Sequence, residues 1–152
     1  MTPSLVSRRV LADRAAIIGE CLADLRALPL EDQTAFLADR RNVWAAESCL
    51  RRCLEALLDS GRHILAKGFG VGVTEYKEIA ARLEETGVLG PAEAQTLRLM
   101  AGYRNRLVHF YHEVTKTELW EICALRLVDV ERIRRELLRW VEQNPQRMTD
   151  GL

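Results

Sequence analysis

The chain has 152 residues, the length of one domain built around one core, and it reads as a single domain over 1–152. Its 48% hydrophobic and 29% charged residues exclude a disordered or fibrous protein. Twenty-two basic residues balance 22 acidic ones, which excludes a protein that coats nucleic acid by net charge. A local basic site stays open, because the basic set is arginine apart from Lys67, Lys77 and Lys116. Arginine suits planar, bidentate recognition of phosphate better than lysine does. No apolar run approaches the length that spans a bilayer. The N-terminal residues lack the apolar core of a secretory signal, so a cytoplasmic chain with no membrane partner is expected. Cys21, Cys49, Cys53 and Cys123 are then expected to be reduced.

In chain order, Val6, Val10, Ile17, Cys21, Leu25 and Leu28 form the apolar stripe of an amphipathic helix over Leu5 to Leu28, which Pro29 ends. Leu30 to Asp39 reads as a short helical turn. A long helix then runs to about Lys67, with Val43, Leu50, Leu54, Leu57, Leu58, Ile64 and Leu65 on its apolar face. A glycine-rich loop, Lys67 to Val73, follows. Thr74 is placed to cap a third helix that runs to about Thr86 and stops at Gly87. Gly90-Pro91 opens a fourth helix, since proline fits a first helical turn. Thr115-Lys116-Thr117-Glu118 matches a capping box and opens a last helix through Trp140 to near Pro145. Leu125 and Val128 widen its stripe, which indicates either a central helix or a buried dimer face. These elements predict an all-α helical bundle.

The segment Arg104-Asn105-Arg106-Leu107-Val108-His109-Phe110-Tyr111 holds the chemistry: guanidinium groups for phosphate, a histidine and a phenol. At roughly 100° per residue, Arg104 and Tyr111 share a helix face, whereas His109 sits about 140° from Arg104. Convergence therefore requires the helix to loosen near Phe110, or a second subunit to complete the site. On spacing alone the simpler account is a solvated helix end, with Arg104, Arg106 and His109 favoured there by the helix dipole.

Other candidates are poorer. Cys49, Cys53 and His63 offer three metal ligands without a fourth, and the spacing suits small core cysteines. His63 reads as a packed or surface histidine. The glycine loop follows a helix rather than a strand and lacks a Gly-Lys-Ser/Thr ending, so it reads as a flexible connection. Arg132, Arg134, Arg135 and Arg139, interleaved with Glu131 and Glu136, read as a solvated face.

The motif from Arg104 to Tyr111 resembles the Arg-x4-His-x-Tyr signature of the HepT-like toxins of the HEPN superfamily. Glu47 to Leu65, with Glu55-Ala56, Asp59-Ser60-Gly61 and Arg62-His63-Ile64, is similar to the family's long second helix. Tyr76 to Leu89 is similar to its third. The likeness spans most of the chain in the right order.

The resemblance implies a five-helix HEPN-type bundle that homodimerises through its motif-bearing helices. It implies a metal-independent endoribonuclease toxin of a type VII-like toxin–antitoxin system, acting on tRNA or mRNA with no cofactor. Arg104 and His109 would be catalytic: Arg104 on the scissile phosphate, His109 moving a proton as the RNA 2′-hydroxyl attacks. Asn105, Arg106 and Tyr111 would contact substrate, with Asn105 orienting the pair. An MntA-like nucleotidyltransferase antitoxin would silence the site by AMPylation of Tyr111. The alternative is a non-catalytic HEPN module that binds nucleotide or partners a nucleotidyltransferase. Ser48 after Glu47, Val73 after the glycine loop, and His112 after the tyrosine depart from the family's pattern.

Overall fold

The computed structural model describes residues 2–151. Seven α-helices carry almost all of it: α1 (Arg8–Arg26), α2 (Gln33–Ala38), α3 (Arg40–His63), α4 (Tyr76–Glu85), α5 (Pro91–His109), α6 (Lys116–Leu125) and α7 (Leu127–Gln143). Two two-residue strands, β1 (Val6–Ser7) and β2 (Met148–Thr149), pair in parallel. The fold is helical as expected, but the helix count is seven rather than five.

α3 is the axis of the bundle. α1 lies along it in the opposite direction, and α4, α5, α6 and α7 also pack against it. Leu50, Leu54, Leu57 and Leu58 of α3 are fully buried, together with Leu22 and Leu25 of α1 and Phe36 of α2. Each fully buried side chain of this size contributes about 1.5–3 kcal/mol relative to an exposed one, so this shared seam dominates the stability. Gly61 lets α4 come close: a Cβ there would lie 2.9 Å from Leu83 Cδ1 and 3.0 Å from Ile79 Cγ2.

The helix ends follow their local chemistry. Ser7, Asp32, Asp39 and Thr115 each accept a backbone N–H bond that caps α1, α2, α3 and α6. Gly87, at φ +78°, closes α4: its N–H donates to the Glu84 carbonyl, and the Val88 N–H donates to the Leu83 carbonyl. Past His63 the long helix widens into a π-helical turn, Ile64–Gly68, which carries it to the predicted end near Lys67.

Four expectations are corrected. The first helix starts at Arg8, because Val6 and Ser7 are extended and pair with the C-terminal segment. Glu75 rather than Thr74 precedes α4, with no side-chain cap. The last helix is broken at Arg126 into α6 and α7. Leu119, Ile122, Cys123, Leu127, Val130 and Ile133 keep one buried stripe across that break, so periodicity gives no sign of it. Finally, Leu125 and Val128 are 64% and 66% exposed, so this is not a central helix wrapped on all sides. No helix among the described residues is long and apolar enough to cross a membrane.

Candidate functional site

The predicted motif occupies the end of α5 and the turn after it. α5 stops at His109 because Phe110 leaves helical geometry (φ −132°, ψ 39°), and Tyr111–Glu113 form a short 3-10 turn before the Thr115 cap. The helix opens at Phe110, but past His109: Arg104 and His109 stay on one continuous helix, so the break redirects Tyr111 and leaves the angle between Arg104 and His109 unchanged. His109, Phe110, Tyr111 and His112 all lie exposed beyond or at that break, with Tyr111 68% exposed. The His109 and Phe110 rings meet edge-on at 6.4 Å, and those of Tyr111 and His112 at 5.9 Å.

Arg104 is held quite differently. Its Nε donates to Glu55 Oε1 on α3 at 3.2 Å, and its Nη1 donates to Asn105 Oδ1 at 3.2 Å. Its guanidinium carbon lies 4.4 Å from the centre of the Tyr76 ring on α4. Only 18% of its side chain is exposed. Three helices thus fix one guanidinium at the edge of the exposed motif. No hydrogen bond joins Arg104 to His109 or Tyr111 among the described residues.

Arg106 takes another course. Its Nη1 and Nη2 donate to the two carboxylate oxygens of Glu118 at 2.5 and 2.8 Å. That hydrogen-bonded pairing pushes the Arg106 guanidinium above its ordinary value and holds the Glu118 carboxyl below its own. The pair braces the end of α5 against the start of α6 and so positions the turn between them. Both terminal nitrogens of Arg106 bond Glu118, while 36% of the side chain stays exposed. Glu118 carries one cap bond through its backbone N–H to Thr115, but its carboxylate serves Arg106.

Sequence reasoning passed over Glu55, Tyr76 and Glu118 as site residues. Each is distant from its arginine along the chain, and no local spacing reports such a contact.

The metal reading of Cys49, Cys53 and His63 fails on His63, whose Nε2 accepts the Ser7 backbone N–H at 3.0 Å. Burial pushes the Cys53 and Cys123 thiols up to about 12, as packed core cysteines require. Burial, then the Lys67 and Arg14 charges, lowers His63 below its ordinary 6.5. The unfolded chain therefore binds the extra proton more readily. The contribution of neutral His63 is complete above that ordinary value and is lost as pH falls below it. Thermal denaturation between pH about 7 and about 5 is expected to show a steeper loss of Tm in the wild type than in His63→Gln. Parallel curves would show that the histidine carries no such linkage.

The comparisons with known proteins bear on this arrangement. The family model described as "Ribonuclease HepT-like" matches residues 18–137, most of the chain, including every residue of the α5 motif.

The chain belongs to the HepT-like family.

No curated protein matches it. Solved structures share its fold. A tri-AMPylated HEPN toxin of Shewanella oneidensis in complex with MNT antitoxin superposes with a TM-score of 0.77 at 21% identity, over 86% of this chain and 97% of the other. A toxin–antitoxin complex with AMP-PNP gives 0.76 at 20% identity, over 84% and 97%. YutE of Bacillus subtilis, a cytosolic protein of unknown function, gives 0.78 at 18% identity, over 97% and 99%. At these identities the likeness is one of fold. The HepT-like chain thus carries an Arg-x4-His-x-Tyr segment at an opened helix end, with the arginine anchored and the histidine and tyrosine exposed.

Proposed function

We propose that this HepT-like chain is a metal-independent endoribonuclease toxin that cuts RNA as a homodimer. The observation that carries the reading is the Arg104 guanidinium, preset by Glu55, Asn105 and Tyr76 on the helix that ends in an exposed His109. A fixed guanidinium favours the charge that builds on a phosphate in the transition state, because it needs no reorganisation as the reaction proceeds. His109 takes the proton of the RNA 2′-hydroxyl as that oxygen attacks the adjacent phosphorus. The bond from phosphorus to the 5′-oxygen breaks, that oxygen takes a proton from water, and a 2′,3′-cyclic phosphate and a 5′-hydroxyl are left. A phosphate-binding cation and a titratable base suffice for this step without a metal. The nucleophile restricts the reaction to RNA, with tRNA or mRNA as the substrate class.

Tyr111 is the proposed control point. Its exposed phenol attacks the α-phosphorus of ATP on a nucleotidyltransferase antitoxin of the MntA type, forming a tyrosyl–AMP ester and releasing pyrophosphate. The added phosphate repels RNA at the mouth of the site. The AMPylated state and antitoxin complex of the Shewanella toxin support this part of the reading. Asn105 orients Arg104, and Arg106 acts through Glu118 on the position of the turn.

The test uses protein made without an antitoxin and verified by mass spectrometry to be unmodified at Tyr111. Incubated with total RNA in EDTA, it is expected to produce fragments with cyclic phosphate ends. Folded, unmodified protein that leaves RNA intact would sink the enzyme reading and favour a non-catalytic nucleotide-binding or partner module. Co-expression with the nucleotidyltransferase is expected to add AMP to the wild type and not to Tyr111→Phe.

A further inference from the structure

Arg62 is a second guanidinium at the same ring. Its guanidinium carbon lies 4.5 Å from the centre of Tyr76, whose other arginine neighbour, Arg104, lies at 4.4 Å. Two cations gathered on one side chain repel each other, and a tyrosine ring offsets only part of that repulsion through its negative faces. Acidic groups do the rest unevenly. Glu55 accepts directly from Arg104, whereas Asp59 accepts the Tyr76 hydroxyl at 2.9 Å and stands 3.9 Å from Arg62. The buried Nε of Arg62 has no hydrogen-bond partner, although 38% of its side chain is exposed. Arg104 is thus anchored through Nε and Nη1 with Nη2 left for a ligand, whereas no hydrogen bond anchors Arg62.

An arginine held close to another cation, with a single carboxylate 3.9 Å away and part of its side chain open to solvent, is arranged for an anion. We propose that Tyr76 is a clamp that gathers Arg62 and Arg104 into one site for successive phosphates of a single RNA strand. Arg104 takes the phosphate at the cut and Arg62 takes a neighbouring one. Asp59 fixes the ring by accepting its hydroxyl, so Tyr76 is a positioning residue that itself carries no charge to the RNA. The proposal rests on the ribonuclease reading and adds to it a residue, Arg62, that anchors the strand outside the reacting phosphate.

Binding of a short single-stranded 2′-O-methyl RNA, which lacks the nucleophile, tests this without cleavage. Fluorescence anisotropy at a series of salt concentrations gives the slope of log K against log salt. That slope changes by about 0.7 for each phosphate contact to a single strand. Arg62→Gln is expected to make the slope shallower by about 0.7. Tyr76→Leu is expected to do the same or more although it removes no charge, while Tyr76→Phe keeps the ring and stays near the wild-type slope. Circular dichroism confirms that each variant is folded.

An Arg62→Gln slope equal to that of a binding wild type overturns the clamp and leaves the ribonuclease reading standing. The same holds for a folded Tyr76→Leu whose slope is unchanged. A wild type that cuts total RNA yet shows no salt-dependent binding also overturns the clamp alone. A wild type that neither cuts nor binds RNA overturns both.

Discussion

Replacing Arg104 by lysine is expected to lower RNA cleavage by about 100- to 1,000-fold, nearly as much as replacing it by alanine, while the fold survives. Lysine keeps the positive charge, so the size of the loss separates charge from geometry. The native guanidinium makes one bond through Nε to Glu55 and another through Nη1 to Asn105, and it stacks over Tyr76. An ammonium group is a compact point charge on a flexible stem and cannot satisfy these three directions together. The phosphate-binding cation would then have to be repositioned in each turnover, and the advantage of a preset donor is lost. The measurement is kcat for a fluorogenic RNA at saturation, with thermal denaturation as the check on folding. Retention of activity within about threefold in Arg104→Lys would show that positive charge alone suffices. The anchoring by Glu55, Asn105 and Tyr76 would then have no catalytic meaning.

The parts of this molecule that could be read from sequence are those governed by neighbours along the chain. The stripe of Leu50, Leu54, Leu57 and Leu58 repeats at helical spacing, so α3 and its buried face are evident. Pro91 opening α5, Gly87 closing α4 and Thr115 capping α6 are chemistry within a single turn of backbone. The break near Phe110 is legible from the Thr115 cap that follows it, which requires the preceding helix to end first. What escaped notice depends on residues brought together by folding. Glu55 meets Arg104 only because α3 crosses α5, and Glu118 meets Arg106 only because the chain reverses through the turn. The β1–β2 pair is two residues long and joins opposite ends of the chain, below what any alternating pattern can reveal. Arg126 breaks the last helix without a glycine or proline to mark it. Chemistry-bearing residue types were thus visible, whereas their division into anchored, braced and exposed groups was not.

That division leads to the strongest expectation about assembly. Arg104 is tied inward to α3 and α4, and His109 stands exposed at the end of α5 with no hydrogen bond to it. In the homodimer proposed above, a complete site is expected where the His109 of one protomer meets the Arg104 of its partner across a two-fold axis. Arg104→Ala and His109→Ala are each expected to be inactive alone, yet mixing the two after dissociation and reassociation is expected to restore cleavage. Random exchange makes half the dimers mixed, and each mixed dimer holds one intact pair and one doubly defective pair, so the recovered rate is about a quarter of the wild-type rate. Sites built within one protomer give a different result, because every protomer in the mixture then lacks one of its two groups. Size-exclusion chromatography with light scattering establishes that mixed dimers have formed before the rate is read. Mixed dimers that stay inactive would place both groups of each site in one chain, and α5 would then have to loosen between Arg104 and His109 to bring them together.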